Sequence, residues 1–292
     1  MSKITILIPC YNDWSCLNEL IPQIDKSLEE IKKDANVIIV NDCSTIKHTL
    51  NGINCKNITL KILNLRKNVR AQIAIASGIE YLNKQNIEGN IIVMDADGQD
   101  NPNLIPLMYN YINQDKYDLI TINRKNRSET FLFQLIYYNY LVFCLIFLFK
   151  NLSHGVFVAF KSSMLKTLVK DKECNLAFTG AINKKSKKIK SIYAVREKRY
   201  KEKSKHNYFY LITYALSIIS TFRVNFALIS IFYLTIFILI QGLNIFSYFL
   251  IFIFIMTNIF LNFFYFMKIK KYDYDKSENV VNEEIIFSKL NV

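Results

Sequence analysis

The chain has 292 residues, room for one large domain or for one domain with a membrane appendage. Apolar residues make up 51%, with 22 Phe and 18 Tyr, which is rich for a soluble protein, and the formal charge is +13. The six cysteines (Cys10, Cys16, Cys43, Cys55, Cys144, Cys174) contain no C-x-x-C pair and the three histidines are scattered, so a zinc site is not indicated and free thiols in a reducing cytosol are expected.

In chain order, Ile4 to Ile8 reads as a buried strand ended by Pro9. It is too short for the core of a signal peptide, so the N-terminal part is expected in the cytoplasm. From Trp14 to Lys33, Leu17, Leu20, Ile21, Ile24, Leu28 and Ile31 recur at three- and four-residue steps, predicting a helix with one core face. Val37 to Val40 predicts a second strand closing on Asn41 and Asp42, and Ile58 to Leu63 alternates as a third. Ala71 to Leu82 predicts a helix whose Ala71, Ala74, Ala76 and Gly78 allow close packing on a sheet. Ile91 to Met94 and Leu119 to Ile122 add two more strands, and the alternation with helices implies a mainly parallel sheet.

Ile91 to Met94 delivers the hexapeptide Asp95-Ala96-Asp97-Gly98-Gln99-Asp100, and Asn101-Pro102 opens the next helix. A lone Asp-x-Asp is more often a polar turn than a site. Here three strand ends converge on one edge, bringing Tyr11-Asn12-Asp13, Asp42 and Asp95/Asp97, where open α/β sheets bind ligands. Two carboxylates at this spacing suit Mg²⁺ or Mn²⁺, which leave positions for substrate phosphates. The chain contains no G-x-G-x-x-G and no P-loop, so diphosphate charge would be met by metal and side chains.

ITILIPCYND, VIIVNDCST, NVRAQIAIASG and VMDADGQDNP resemble, in order and spacing, the nucleotide-sugar domain of family-2 glycosyltransferases with the GT-A fold. Within that family the chain is similar to polyprenyl-phosphate sugar transferases of the dolichyl-phosphate mannose synthase type. RKNRSE and REKRYKEKSK resemble that group's R-x-x-R and R-x-x-G-x-S-K elements, so the likeness covers about residues 3 to 222. It implies a Rossmann-like α/β sheet with helices on both faces, followed by interface helices and a C-terminal transmembrane hairpin. By the same resemblance, Pro9, Tyr11, Asp13, Asp42, Asp95 and Ala96 bind the nucleotide-sugar, and Asp95, Asp97 and Gln99 surround the metal. Arg124, Arg127, Ser204 and Lys205 are implied near phosphate groups, with Asp97, Arg127 and Arg199 as the catalytic set. The chain departs from the family pattern at Asp13 (usually Glu), at Arg70 and Glu202 (usually Gly), and at Val156 (often Asp or Asn).

Eleven Lys/Arg against two Glu lie between Lys184 and Lys205. Such a block suits nucleic acid or anionic membrane, and its place just ahead of apolar segments favours membrane over nucleic acid. Phe131 to Phe149 holds nineteen residues without formal charge; the cluster Tyr137, Tyr138, Tyr140 favours a helix lying in the interface over one that spans. Between Arg223 and Lys268 lie 44 uncharged residues, about twice the ~20 a spanning helix needs, with Gln241-Gly242-Leu243-Asn244 as the turn. Lysines and arginines flank both ends, so both ends are expected in the cytoplasm. The expected division is a nucleotide-sugar core at 1–127, an acceptor and interface part at 128–222, two membrane helices at about 223–242 and 245–267, and a solvated cytoplasmic tail at 268–292.

The function expected is metal-dependent, inverting transfer of a sugar from a UDP- or GDP-sugar to a polyprenyl phosphate or other lipid acceptor at the inner membrane, for surface glycan synthesis or modification. A homo-oligomer is compatible with it. A processive polysaccharide synthase is disfavoured: its usual Q-x-x-R-W motif is missing, and the one tryptophan is Trp14. A non-catalytic protein that keeps the fold is the alternative from a different class, motivated by Arg70, Val156 and Glu202.

Overall fold

The structure, a computed structural model, describes residues 3–47, 50, 53, 55–125, 130–170, 172–200, 208–277 and 282–287. Its centre is a parallel run of strands, β1 (Ile4–Cys10), β2 (Ala35–Asn41), β3 (Ile58–Asn64) and β4 (Asn90–Val93), each within a few residues of the sequence expectation. Three further strands follow: β5 (Leu119–Arg124), β6 (His154–Lys161) and β7 (Ile189–Ala194). With β8 (Asn282–Phe287) the described strands form one sheet in the order β7-β5-β6-β4-β1-β2-β3-β8. Only β6 and β8 run against the rest. The expected mainly parallel sheet is therefore present, with one antiparallel strand inserted and one added at the edge.

Alternation along β1 splits the core into two layers. Ile4, Ile6 and Ile8 face α1 (Trp14–Glu30) and, with it, α3 (Ile105–Ile112); Leu17, Leu20, Ile21, Ile24 and Leu28 of α1 complete that layer. Leu7 points the other way, toward α2 (Arg70–Lys84), beside Ile38, Val40, Ile91 and Val93. Each fully buried Ile or Leu contributes about 1.5–3 kcal/mol relative to exposure. Gly78 lets α2 approach closely, since a Cβ there would lie 2.5 Å from Leu7 Cδ1.

The chain then leaves the sheet. The helix α4 (Phe131–Leu148) is capped by the Thr130 hydroxyl and ends at Phe149 in a left-handed conformation. Three short helices, α5 (Leu165–Lys170), α6 (Glu173–Leu176) and α7 (Phe178–Lys185), pack beside α2, and α8 (Tyr208–Thr221) follows β7. Two long apolar helices come last, α9 (Arg223–Gln241) and α10 (Ile245–Ser277). They pack on each other as a hairpin. Gly242 turns it at φ +71°, and Asn244 Oδ1 accepts from the Ser247 amide at 2.9 Å.

Two helices of this set, over Arg223–Gln241 and Ile245–Lys271, are long and apolar enough to cross a membrane. At 1.5 Å per residue α9 is about 28 Å long, close to the ~30 Å hydrocarbon layer, and α10 is about 50 Å. The surplus of α10 brings the chain back to the sheet: Tyr265 and Ile269 pack on Leu176, and β8 pairs with β3. The tail expected to be solvated is thus helical to Ser277 and contributes a strand over 282–287. The C-terminal half of α4 packs on the hairpin, with Phe143 and Phe147 against Phe226 and Phe147 against Phe254. Its outer face leaves Phe131, Leu135, Ile136, Tyr138, Leu145 and Ile146 exposed.

One joint ties the hairpin to the sheet half. The buried Glu173 carboxylate accepts from Lys184 Nζ at 2.8 and 2.9 Å and from Arg223 Nη1 at 3.0 Å. Arg223 also lies over the Tyr265 ring at 3.4 Å from its centroid, and Lys184 donates to the Thr221 carbonyl at 3.0 Å.

Arg70, the departure from the family glycine, begins α2 with φ +71°. A left-handed backbone costs a residue with a Cβ about 1–2 kcal/mol, which accounts for glycine as the family's choice. Arg70→Gly is therefore expected to raise the melting temperature of the detergent-solubilised protein, by the equivalent of about 1 kcal/mol. An unchanged or lower temperature would show that the arginine side chain compensates for its backbone.

Candidate functional site

Because β1, β2, β4, β5 and β7 run in one direction, their C-terminal ends open on one edge. There β1 delivers Tyr11, Asn12 and Asp13; β2 delivers Asp42; β4 delivers Asp95, Ala96, Asp97 and Gln99. Arg124 ends β5, and Arg196 and Arg199 follow β7. Pro9 is buried in β1, one residue before the strand's last, Cys10. Arg127, Ser204 and Lys205 lie outside the described residues.

The acidic turn is held by its own side chains. Asp100 Oδ2 accepts from the Asp95 amide at 2.8 Å and Asp97 Oδ1 from the Gln99 amide at 3.0 Å. The segment after β7 folds over it. Glu197 N donates to the Gln99 carbonyl at 3.1 Å, Tyr200 N to the Asp97 carbonyl at 3.2 Å, and Asn101 Nδ2 to Glu197 Oε1 at 3.1 Å. Gly98 has φ +80°, and a Cβ on it would fall 2.2 Å from the Tyr200 ring, so both backbone and space require glycine there.

Arg199 bridges two strand ends. Its guanidinium donates to Asp13 Oδ1 at 2.7 Å and to Asp97 Oδ2 at 3.2 Å, and all three side chains are below 20% exposed. Burial works against the guanidinium charge, but the Asp13 hydrogen bond and the charges of Asp13 and Asp97 outweigh it and raise the Arg199 pKa. Arg196 Nη2 stands 3.9 Å from Asp95 Oδ2. Burial, then repulsion from Asp100 and Asp97, pushes the Asp95 carboxyl up. Burial also pushes up Asp100, against the hydrogen bond from the Asp95 amide, and Arg196 and Arg124 act downward on both. Crowded carboxylates at a strand-end edge are a donor set that fits a hard divalent cation. Among the described residues, no group of three His, Cys, Asp or Glu is arranged as a metal cage.

Asp42 is placed differently from a freely presented ligand group. Its two oxygens accept from the Val69 amide at 2.7 Å and the Arg70 amide at 2.8 Å, anchoring the start of α2. Burial pushes its pKa up to about 6 against those two bonds. Each carboxylate oxygen retains a second acceptor direction.

Several roles at this edge escape sequence reasoning, among them that of Asn12, which the sequence names only as part of a strand end. Asn12, left-handed at φ +61°, stitches the first two loops: its Oδ1 accepts from the Thr45 amide at 2.9 Å and its backbone N–H donates to Ser44 Oγ at 2.9 Å. An Asn directly after a strand-ending turn is the available signal, since Asn tolerates that backbone. Arg196 and Tyr200 are the others, and neither residue type at those positions stands out within a basic run. His154 opens β6 at the same edge, buried, with Nδ1 2.8 Å from the Gly155 carbonyl and Nε2 2.8 Å from Asn183 Nδ2.

The model of Glycosyl transferase family 2 matches residues 5–225. The chain belongs to this family. It is 33% identical over 129 residues to an uncharacterized glycosyltransferase of Synechocystis, covering 43% of this chain and 39% of that one. It is 25% identical over 134 residues to the undecaprenyl-phosphate 4-deoxy-4-formamido-L-arabinose transferase of Proteus mirabilis, covering 44% and 39%. The matched part thus spans about two fifths of these relatives' length. Its fold is that of glucosyl-3-phosphoglycerate synthase from Mycobacterium tuberculosis, a structure holding Mn²⁺, UDP and phosphoglyceric acid: TM-score 0.51, 12% identity, 77% of this chain and 78% of that one. The expected family and the expected fold are therefore those of this chain.

In this family member His154 is no general base near neutral pH, because burial lowers its pKa to about 4 despite the Gly155 carbonyl. The unfolded chain, with a histidine near 6.5, binds the proton first, so stability is full above pH 6.5 and lost progressively toward pH 4. Between pH 7 and 5 His154 is expected to withdraw about 2 kcal/mol, against the opposite contribution of Asp42, Asp95 and Asp100, whose raised pKa values favour the folded state as pH falls. His154→Gln is therefore expected to raise the melting temperature at pH 5 relative to pH 7, compared with the wild type, by the equivalent of that amount. A pH dependence unchanged by the substitution would assign it to other groups.

Proposed function

We propose that this glycosyltransferase moves a sugar from a UDP- or GDP-sugar to a polyprenyl phosphate at the cytoplasmic face of a membrane, with inversion at the anomeric carbon. The observation that carries the reading is one molecule combining the Asp95/Asp97 turn, faced by Arg124, Arg196 and Arg199, with an apolar hairpin fastened to the same half through Glu173. Two similarities support it: the Proteus mirabilis relative is named for undecaprenyl phosphate, and the mycobacterial structure holds Mn²⁺ and UDP.

In this reading Asp95, Asp97 and Gln99 hold Mg²⁺ or Mn²⁺, which supplies positive charge to the leaving nucleoside diphosphate. Pro9, Tyr11, Asp13, Asp42 and Ala96 line the nucleoside side. Arg124, Arg127, Arg199, Ser204 and Lys205 orient phosphate oxygens, and the lipid tail stays in the bilayer. A phosphate monoester, second pKa about 6, is largely ionised at pH 7 and attacks without a strong base. His154, neutral with both ring nitrogens engaged, is accordingly not asked for one.

The test uses membranes carrying the full chain, Mn²⁺ or Mg²⁺, polyprenyl phosphate and labelled UDP- and GDP-sugars, with label counted in the lipid extract. Lipid label is expected with one donor, and Asp97→Asn is expected to lower it about a hundredfold while the protein still folds and inserts. Wild-type turnover by that variant would refute the role of Asp97. Nucleotide binding without lipid label from any donor would turn the reading to another acceptor.

The two-pass arrangement places residues 1–222 and 268–292 in the cytoplasm and the turn at Gly242 on the far side. Asn244→Cys is expected to react with a membrane-impermeant maleimide in intact cells, while Cys43 reacts only after lysis. Reaction of Asn244→Cys only after lysis would overturn this orientation.

A further inference from the structure

Arg199 stands where the acidic turn needs a cation. Asp97 has its Oδ1 committed to the Gln99 amide at 3.0 Å, and its Oδ2 is taken by Arg199 Nη1 at 3.2 Å. Asp95 Oδ2, by contrast, has Arg196 no nearer than 3.9 Å, beyond hydrogen-bond reach. Mg²⁺ bonds its oxygen ligands at roughly 2.0–2.1 Å. A cation reaching Asp97 Oδ2 would therefore crowd the guanidinium already on that oxygen, charge against like charge.

We propose that Arg199 is a built-in competitor of the metal: it neutralises Asp97 in the metal-free enzyme and gives up that carboxylate when the cation binds. The inference rests on the reading of Asp95 and Asp97 as the metal site. The geometry also says how the exchange proceeds. The bond from Arg199 Nη2 to Asp13 Oδ1 is the shorter of the two, at 2.7 Å. The backbone around Arg199 is held independently, by Glu197 N on Gln99 O, Tyr200 N on Asp97 O and the Tyr200 ring over Gly98. The movement is therefore a side-chain swing pivoting on Asp13, with the segment 196–200 left in place. Arg199 so released carries its charge at the same edge, free to meet a phosphate oxygen of the donor. It acts as a positioning residue that links metal occupancy to phosphate capture.

Competition of this kind lowers the apparent metal affinity by the fraction of molecules with Asp97 available, and coupling of this type is commonly 5–150-fold. The experiment is Mn²⁺ titration of the detergent-solubilised full chain, followed by the electron paramagnetic resonance signal of free Mn²⁺, with and without UDP. Without UDP, Arg199→Gln is expected to bind Mn²⁺ at least about fivefold more tightly than the wild type. Arg199→Lys, which keeps the charge but cannot bridge two carboxylates, is expected between them. UDP is expected to narrow the gap, because the diphosphate takes up the wild-type guanidinium. Mn²⁺ binding to Arg199→Gln that equals or falls below the wild type would overturn the competition and leave the metal site standing. No Mn²⁺ binding by any form, even with UDP, would overturn the metal reading and this inference together.

Discussion

Strand direction is the constraint on which the site depends. Six strands, β1 to β5 and β7, end on the same edge, so residues as far apart in sequence as Asp13 and Arg199 become hydrogen-bond partners. A parallel sheet needs a crossover after each strand, and α1 and α2 supply it from opposite faces through the two layers that Ile6 and Leu7 seed. The same edge gathers carboxylates from the loops after β1, β2 and β4 and guanidinium groups from the strands at the other end of the sheet. Charge segregated that way by topology is arranged before any ligand arrives, which is the condition for electrostatic stabilisation at low reorganisation cost.

A second dependence runs through Glu173. One buried carboxylate with two cationic partners on different elements joins α6, α7 and α9. Removing one partner of such a buried pair typically costs about 3–5 kcal/mol, because the remaining charge is stranded. The joint sits at the first residue of the first apolar helix, so the height of the sheet half above the hairpin is set by a short, stiff contact rather than by a linker. The stacking of Arg223 on Tyr265 extends the same fastening to α10.

Much of this was legible in the sequence because the signals were local. β1 to β5 are apolar runs bounded by Pro, Asn or Asp, and α1 and α2 carry a clean helical period, so their places follow from side-chain pattern alone. The strands at the margins did not announce themselves. β7 (IKSIYA) sits in a lysine-rich block at intermediate burial, and β8 (NEEIIF) is short and acidic; both exist through pairing with distant strands. The edge was recognisable from Asp13, Asp42, Asp95 and Asp97. What could not be read was the pairing: that Asp42 spends both oxygens on the start of α2, or that Arg199 reaches two carboxylates some hundred or more positions away. Arg70 is the reverse case, since its departure from glycine was visible and its meaning, a left-handed backbone, needed coordinates.

The return of the chain to β3 has a practical corollary. Trimming the protein ahead of Arg223 to obtain a water-soluble catalytic fragment would remove β8 along with the hairpin. It would bare the hydrogen-bonding edge of β3 and the Leu176 surface that Tyr265 and Ile269 cover. An unpaired, exposed strand edge beside fresh apolar surface is a template for association between copies. Such a fragment would aggregate because the apolar hairpin and the lid on the sheet edge are one continuous piece of chain.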